Sequence, residues 1–350
     1  IAEKVFSKME HIEKKRKKPS YISNDLRVLV TLCSLEGIPF ELNFNHIPSK
    51  YFDNIPGHRM HEHMLIAHFK TSYDEIKDKN KYLNFDPFND QSKNLIMKCT
   101  KGTGAFPLGL KPEHFENDFT VEYIKTSIKR SLLSENAENA DIQLKGDYFN
   151  FTNVDGGTIN NEPYGEVVSV LKQMHGKQNM KTPNYGTIMI DPFPDFAKKI
   201  PDEKTTFQKT IFQVIPKLYT TLRQQVRMKR GDSFFEDIFR LMAFPVKWEK
   251  KGKLTDHPPL ASGAIDGFGG FFDIEFRIHD FFLGRDNARN FIRYFFSLEY
   301  TDENPHPLFK NISPEAKERF SYHRKNGKVM LPIIPDIRRG DSKNDNPYSY

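Results

Sequence analysis

Hydrophobic and polar positions alternate most clearly in LRVLVTLCSLEG. In an extended chain Val28, Val30 and Leu32 share one face and Leu29, Thr31 and Cys33 the other. Both faces are largely apolar, which is the pattern of a strand covered by helices on both sides in a parallel sheet. GIPFELNF follows as a partner strand, with Phe40, Leu42 and Phe44 alternating with polar positions. DYFNFTNV reads as a strand with aromatic faces, and GTIMIDPFPDF as a buried strand stopped by Pro192 and Pro194.

The apolar period changes elsewhere. Val121, Ile124, Ile128 and Leu132 recur at helical spacing, and SKNLIMKCTKGTG reads as a short helix ending in small residues. EPYGEVVSVLKQM is a helix with Pro163 suited to its first turn. TTFQKTIFQVIPKLYTTLRQQVRMKR is a long helical pattern interrupted at Pro216, and SFFEDIFRLMAFPVKW continues in that style. GAIDGFGG reads as a turn feeding an amphipathic helix. HRMHEHMLIAHF reads as a polar helix or loop. The tail beyond Thr301, rich in Pro and charge, is expected to wrap the surface and to lose order at its end.

Composition narrows the picture little further. A chain of 350 residues can bury a large core, and its 31 Phe against a single Trp248 make that core aromatic. No window approaches the roughly 20 apolar residues of a membrane span. No signal peptide is visible, so the expected location is the cytoplasm or a membrane periphery. The chain begins at Ile1, inside a helix-like run, which suggests a piece of a longer protein. Cys33 and Cys99 form no CxxC pair and read as buried reduced thiols. The net charge of +6 permits anionic partners without requiring them. The KKRKK run, Lys14 to Lys18, reads as a solvated helix end stopped by Pro19, so nucleic acid is not expected.

Several clusters invite chemistry and fail on spacing. His58, His61, His63 and His68 crowd together, but Leu65 stands where HExxH needs its second histidine, so no metal site is expected. Gly102, Gly104 and Ala105 lack the phosphate-loop pattern. Ser233 and Ser262 lack a nucleophile elbow, and His279 and Asp280, adjacent on a helix, should point about 100° apart. What remains is Asp155-Gly156-Gly157, an acid on a tight glycine turn between a strand and a helix. Open α/β sheets place their chemistry at such strand ends. An Asx turn held by its own side chain accounts for the same residues without any catalysis.

The ordered set of LRVLVTLCSLEG, Ala105-Phe106-Pro107, NVDGGTINNEP, a helix and a further strand resembles the patatin-like phospholipase family, from about Asp25 to Phe296. GAIDGFGGFFDIEFRIHDFFLGRDNARNF resembles the C-terminal extension of a bacterial subgroup. The resemblance implies a three-layer α/β sandwich with a mainly parallel sheet, the C-terminal part of the catalytic domain at 1–198, and a helical extension and tail at 199–350. It implies hydrolysis of lipid or other acyl esters by a Ser–Asp dyad, with peripheral membrane contact and no cofactor. Asp155 would be the catalytic acid, with Gly156 and Gly157 shaping its turn. The family's G-x-S-x-G serine and glycine-rich oxyanion loop have no counterpart in the sequence, so this chain by itself is expected to be inactive. The alternative is a non-catalytic lipid-binding or interaction protein on the same scaffold.

Overall fold

The computed structural model describes residues 20–42, 58–131 apart from 73, 75 and 108, 140–160, 163–176, 183–192, parts of 210–222, 240–247, 259–265 and 269–336. The chain divides into two compact units, Ile1–Val167 with Gln208–Asp232 and Val168–Phe207 with Ser233–Tyr350.

The first unit is mixed α/β. Its sheet contains β1 (Arg27–Leu42), β2 (His58–Lys70), β3 (Leu83–Asn84), β4 (Glu113–Phe115), β5 (Ala140–Ile142) and β6 (Phe151–Asp155). The order is β3-β2-β1-β6-β4, with β5 on β1. Only β2–β3 is parallel; the β1–β2, β1–β5, β1–β6 and β4–β6 pairs are antiparallel. The mainly parallel sheet expected from the sequence is thus not what β1 enters. Burial on both faces fixes how apolar a strand is, not which way its neighbours run.

Two further expectations change. The two expected strands are one over the described residues, Arg27–Leu42, with a register shift between Cys33 and Ile38. Gly37 sits in that irregularity at φ +73°, a conformation that suits glycine. HRMHEHMLIAHFK is strand β2 rather than a polar helix or loop, exposed at its histidine-rich start and buried from Met64 to Phe69. Short apolar runs do not separate strand from helix by period, and its histidines hid the alternation.

Helices α1 (Asp90–Thr103) and α2 (Val121–Ser131) form where expected. Asn89 caps α1 by accepting the Ser92 N–H. Both helices contribute to one core with the sheet, in which Ile96, Cys99, Ile124 and Ile128 join Leu32, Leu65 and Phe69. The abundant phenylalanine does much of this packing. Phe115, Phe119 and Phe151 are buried together, Phe115 stacking on Phe151 at 4.9 Å. Each such ring contributes about 1.5–3 kcal/mol by leaving water. Tyr123 on α2 serves the edge of β2, where its hydroxyl donates to Ile66 O and accepts from His68 N–H, both at 2.8 Å. The chain continues from β6 through a turn into α3 (Tyr164–His175).

The second unit contains β7 (Thr187–Ile190) paired in parallel with β8 (Arg240–Ala243). The pattern of SFFEDIFRLMAFPVKW predicts a helix there, but Arg240–Ala243 is extended. The long helix α4 (Ile274–Tyr294) follows, capped by Asp273. After it β9 (Ser297–Glu299), β10 (Tyr322–His323) and β11 (Val329–Pro332) form an antiparallel sheet of order β10-β11-β9. The short helix α5 (Pro314–Phe320) is capped by Ser313. This part of the tail is therefore built structure. KKRKK, Ser233 and most of the pattern over 199–230 lie outside the described residues.

Candidate active site

Asp155 is the last residue of β6, opposite Leu32 in the β1 register. Its backbone N–H donates to Ala105 O at 2.9 Å, just beyond the end of α1. Its Oδ1 accepts the Gly157 N–H at 2.9 Å. The carboxylate is half-buried. The structure therefore brings together the small-residue helix end and the acid, which are 50 residues apart in the sequence.

Three neighbours hold this turn. Gly156 is buried, and a Cβ there would overlap the carbonyl of Thr31 in β1. Its carbonyl accepts from both Ile159 and Asn160 N–H groups, at 3.1 and 3.0 Å. Asn160, itself buried, donates from Nδ2 to Glu166 Oε1 at 3.1 Å, tying the turn to the start of α3. Gly157 is partly exposed and supplies the N–H that fixes the carboxylate.

Asn153, two residues before the acid, is fully buried. It accepts the Cys33 N–H at 2.9 Å and donates to Gly102 O at 2.8 Å. It thus joins β1, β6 and the last turn of α1. The glycine in α1 is needed for this, because a Cβ at Gly102 would lie 2.7 Å from Asn153 Nδ2. Sequence reasoning singled out Gly102 as small but did not find Asn153, which only its pairing across the fold reveals.

The nearby sulfur does not serve as a nucleophile. Burial, followed by the charges of Asp155 and Glu62, pushes the Cys33 thiol up to about 11. A protonated buried thiol is inert. Ser34, the next residue of β1, is buried and accepts the Gly37 N–H at 3.2 Å. The histidines of β2 do not gather around the acid: His63 Nδ1 is bonded to Ser34 O at 2.7 Å and His68 Nδ1 to Arg130 at 2.9 Å. Among the described residues no group of three or more His, Cys, Asp or Glu is placed to hold a metal ion.

The second unit does bring Ser262, His279 and Asp280 together. Ser262 Oγ donates to Asp280 Oδ2 at 2.5 Å, and His279 Nδ1 lies 3.0 Å from Asp280 Oδ1, despite the divergence expected of helix neighbours. Asp280 also accepts the Ala261 and Ser262 N–H groups, at 2.7 and 3.2 Å. Burial raises its pKa, but these hydrogen bonds, Ser262 first, outweigh it and leave the acid below its usual range. A carboxylate so fully bonded is a weak base. It works as a clamp between residues 261–265 and α4.

No family model matches the chain, and no solved structure does. It is similar to a Sinorhizobium fredii (strain NBRC 101917 / NGR234) protein named "Uncharacterized protein y4iI", at 25% identity over 386 residues. That match covers 94% of this chain and 50% of the relative, so the chain spans about half the length of the curated protein it matches.

Proposed function

We propose that the first unit is the acid-bearing part of a patatin-like serine acylhydrolase acting on lipid or other acyl esters. The observation that carries the reading is the seat of Asp155. The acid stands at a strand end, its N–H held by Ala105 and its carboxylate aligned by Gly157, on a turn that leaves no room for a side chain at Gly156. In the reaction a serine hydroxyl would attack the acyl carbon while the carboxylate takes its proton, and the ester C–O bond would break with that proton passing to the departing alcohol. Water deprotonated by the same carboxylate would then cleave the acyl-serine, releasing the acid and returning the proton to the serine. The serine and the oxyanion donors are not assigned to any residue of this chain. The finer fold expected from the resemblance, a three-layer sandwich, also remains part of this proposal.

The test uses the whole encoded protein, assayed on p-nitrophenyl esters with and without Asp155→Asn. Asparagine retains the oxygen that accepts from Gly157 but cannot accept a proton. Turnover should fall by on the order of 10²–10⁴ with an unchanged melting temperature. Activity within about threefold of wild type would reduce Asp155 to a turn residue, since a positioned base contributes far more. It would leave the non-catalytic scaffold as the better account.

A further inference from the structure

The second unit holds a cavity of about 630 Å³ whose lining residues do not include Asp155. It lies between the β7–β8 pair, residues 260–262 and α4, and its apolar wall includes Ile190, Met242, Phe244, Leu260, Phe291 and Phe295. This volume lies in the range of small-molecule sites, which run from about 300 to 1,000 Å³ and are mainly apolar. Ile190 and Phe295 are 75% and 59% exposed, so the wall offers apolar surface that an occupant would remove from water.

The polar groups of the wall define the occupant. Asp280 already receives four hydrogen bonds. Asn287 accepts the Val246 N–H and donates to Val246 O and Leu283 O, at 3.0, 3.0 and 2.8 Å. These side chains hold the walls together rather than reaching for a ligand. Among the described lining residues there is no Lys, Arg or His, whereas Asp191 and Asp280 are both present. An anionic head group would meet like charge there and lose its hydration without a counterion.

We propose that this cavity binds an uncharged aliphatic molecule, of the class of long-chain alcohols and neutral lipid tails. It does so independently of any hydrolytic chemistry. Recognition comes from apolar burial, and discrimination against fatty acid anions comes from the acidic wall.

The experiment titrates the 350-residue chain with the uncharged fluorophore N-phenyl-1-naphthylamine and displaces it with 1-dodecanol or with dodecanoate at pH 7. Saturable fluorescence enhancement is expected, with dodecanol the better competitor by about tenfold or more, because dodecanoate must bury or strand a charge. Gly284 lines the cavity and has nothing within 4 Å of an added Cβ, so Gly284→Leu can fill space without a clash at the Cβ. It also replaces a poor helix former with a good one inside α4. This variant should melt no lower than wild type and bind the fluorophore about tenfold more weakly, which the loss of about two buried methylenes suffices to produce. Phe271→Ser, which removes a ring 74% exposed and outside the cavity, should bind as wild type does. Absence of saturable binding, equal competition by dodecanoate, or wild-type affinity in Gly284→Leu would each overturn the proposal. So would loss of binding in Phe271→Ser, which would mark adsorption to exposed aromatic surface instead.

Discussion

A side-chain carbon on Gly156 would overlap the carbonyl of Thr31, which belongs to a different strand of the sheet. The need for glycine here comes from that approach and not from backbone sign. Among the described glycines, positive φ occurs at Gly37, Gly146, Gly176 and Gly327. Gly156→Ala and Gly156→Asn should therefore both lower stability, by about 1–3 kcal/mol as in other overpacked sites. Asparagine would be tolerated if a left-handed conformation were the cause. Urea unfolding of the two variants separates these explanations, and equal stability of Gly156→Asn and wild type would refute the contact.

Asn153→Ala should be more damaging than an ordinary loss of a polar side chain. It strands the Cys33 N–H in the interior, while Gly102 O loses one donor and still accepts the Ala105 N–H at 3.2 Å. An unsatisfied buried group costs about 1–3 kcal/mol, so a loss of that size is expected. Chemical denaturation measures it directly, and a change below about 1 kcal/mol would mean that water replaces both bonds at little cost.

The thiols offer an independent check on burial. Cys33 is raised to about 11, and Cys99 is raised further, in each case chiefly by burial. Iodoacetamide at pH 8 should label neither residue in the native chain and both in denaturant. Rapid native labelling of Cys33 would show that the strand beside Asp155 opens readily.

His68 should make stability depend on pH. It is 2% exposed, and burial followed by the positive charges of Arg130 and Arg27 lowers its pKa to about 3, with Lys70 adding to this and Asp25 opposing it. Arg27, Lys70 and Arg130 all approach the ring of Tyr82, which meets His68 edge-on at 4.9 Å. The folded value lies below that of the free side chain, so between about pH 6.5 and 3 the unfolded chain binds the extra proton. Stability should therefore fall as pH drops through that window, by up to about 1.4 kcal/mol per pH unit from this residue. His68→Phe should flatten the profile of unfolding free energy against pH over that range. An unchanged slope would assign the acid sensitivity to other groups.

The ester-hydrolase reading makes a further demand on this chain. Ser262 lies beside Asp280, but the carboxylate is held below its usual pKa and faces four donors. A fluorophosphonate probe should leave Ser262 unmodified. Stoichiometric labelling there would move the candidate chemistry from the first unit to the second.

The sequence exposed the elements whose signal is local. The helical spacing of Val121, Ile124 and Ile128 gives α2, and the strand–Asp–Gly–Gly–helix order gives the turn at Asp155. Strand direction was not legible, because Val28 to Cys33 is apolar on both faces whichever way its neighbours run. β2 was hidden by polar histidines at its exposed start. Asn153 and the Ser262–Asp280 clamp depend on partners far away in the chain, and nothing in their immediate neighbours marks them. The aromatic composition was informative in kind but not in place: Phe115, Phe119 and Phe151 build the first unit's core, while Phe271 and Phe281 remain exposed in the second.

The bond from Cys33 N–H to Asn153 joins residues 120 positions apart. β1 and β2 are adjacent in the chain and can pair early, whereas β6 must close a loop of that length before its contacts form. Non-local pairing of this kind slows folding, because chain entropy is lost before contacts compensate it. During synthesis β1 therefore waits with the edge from Leu32 to Ser34 uncovered until residues 151–155 emerge. An open strand edge is a template for pairing with other chains. The same docking event that seats Asp155 thus also covers that edge.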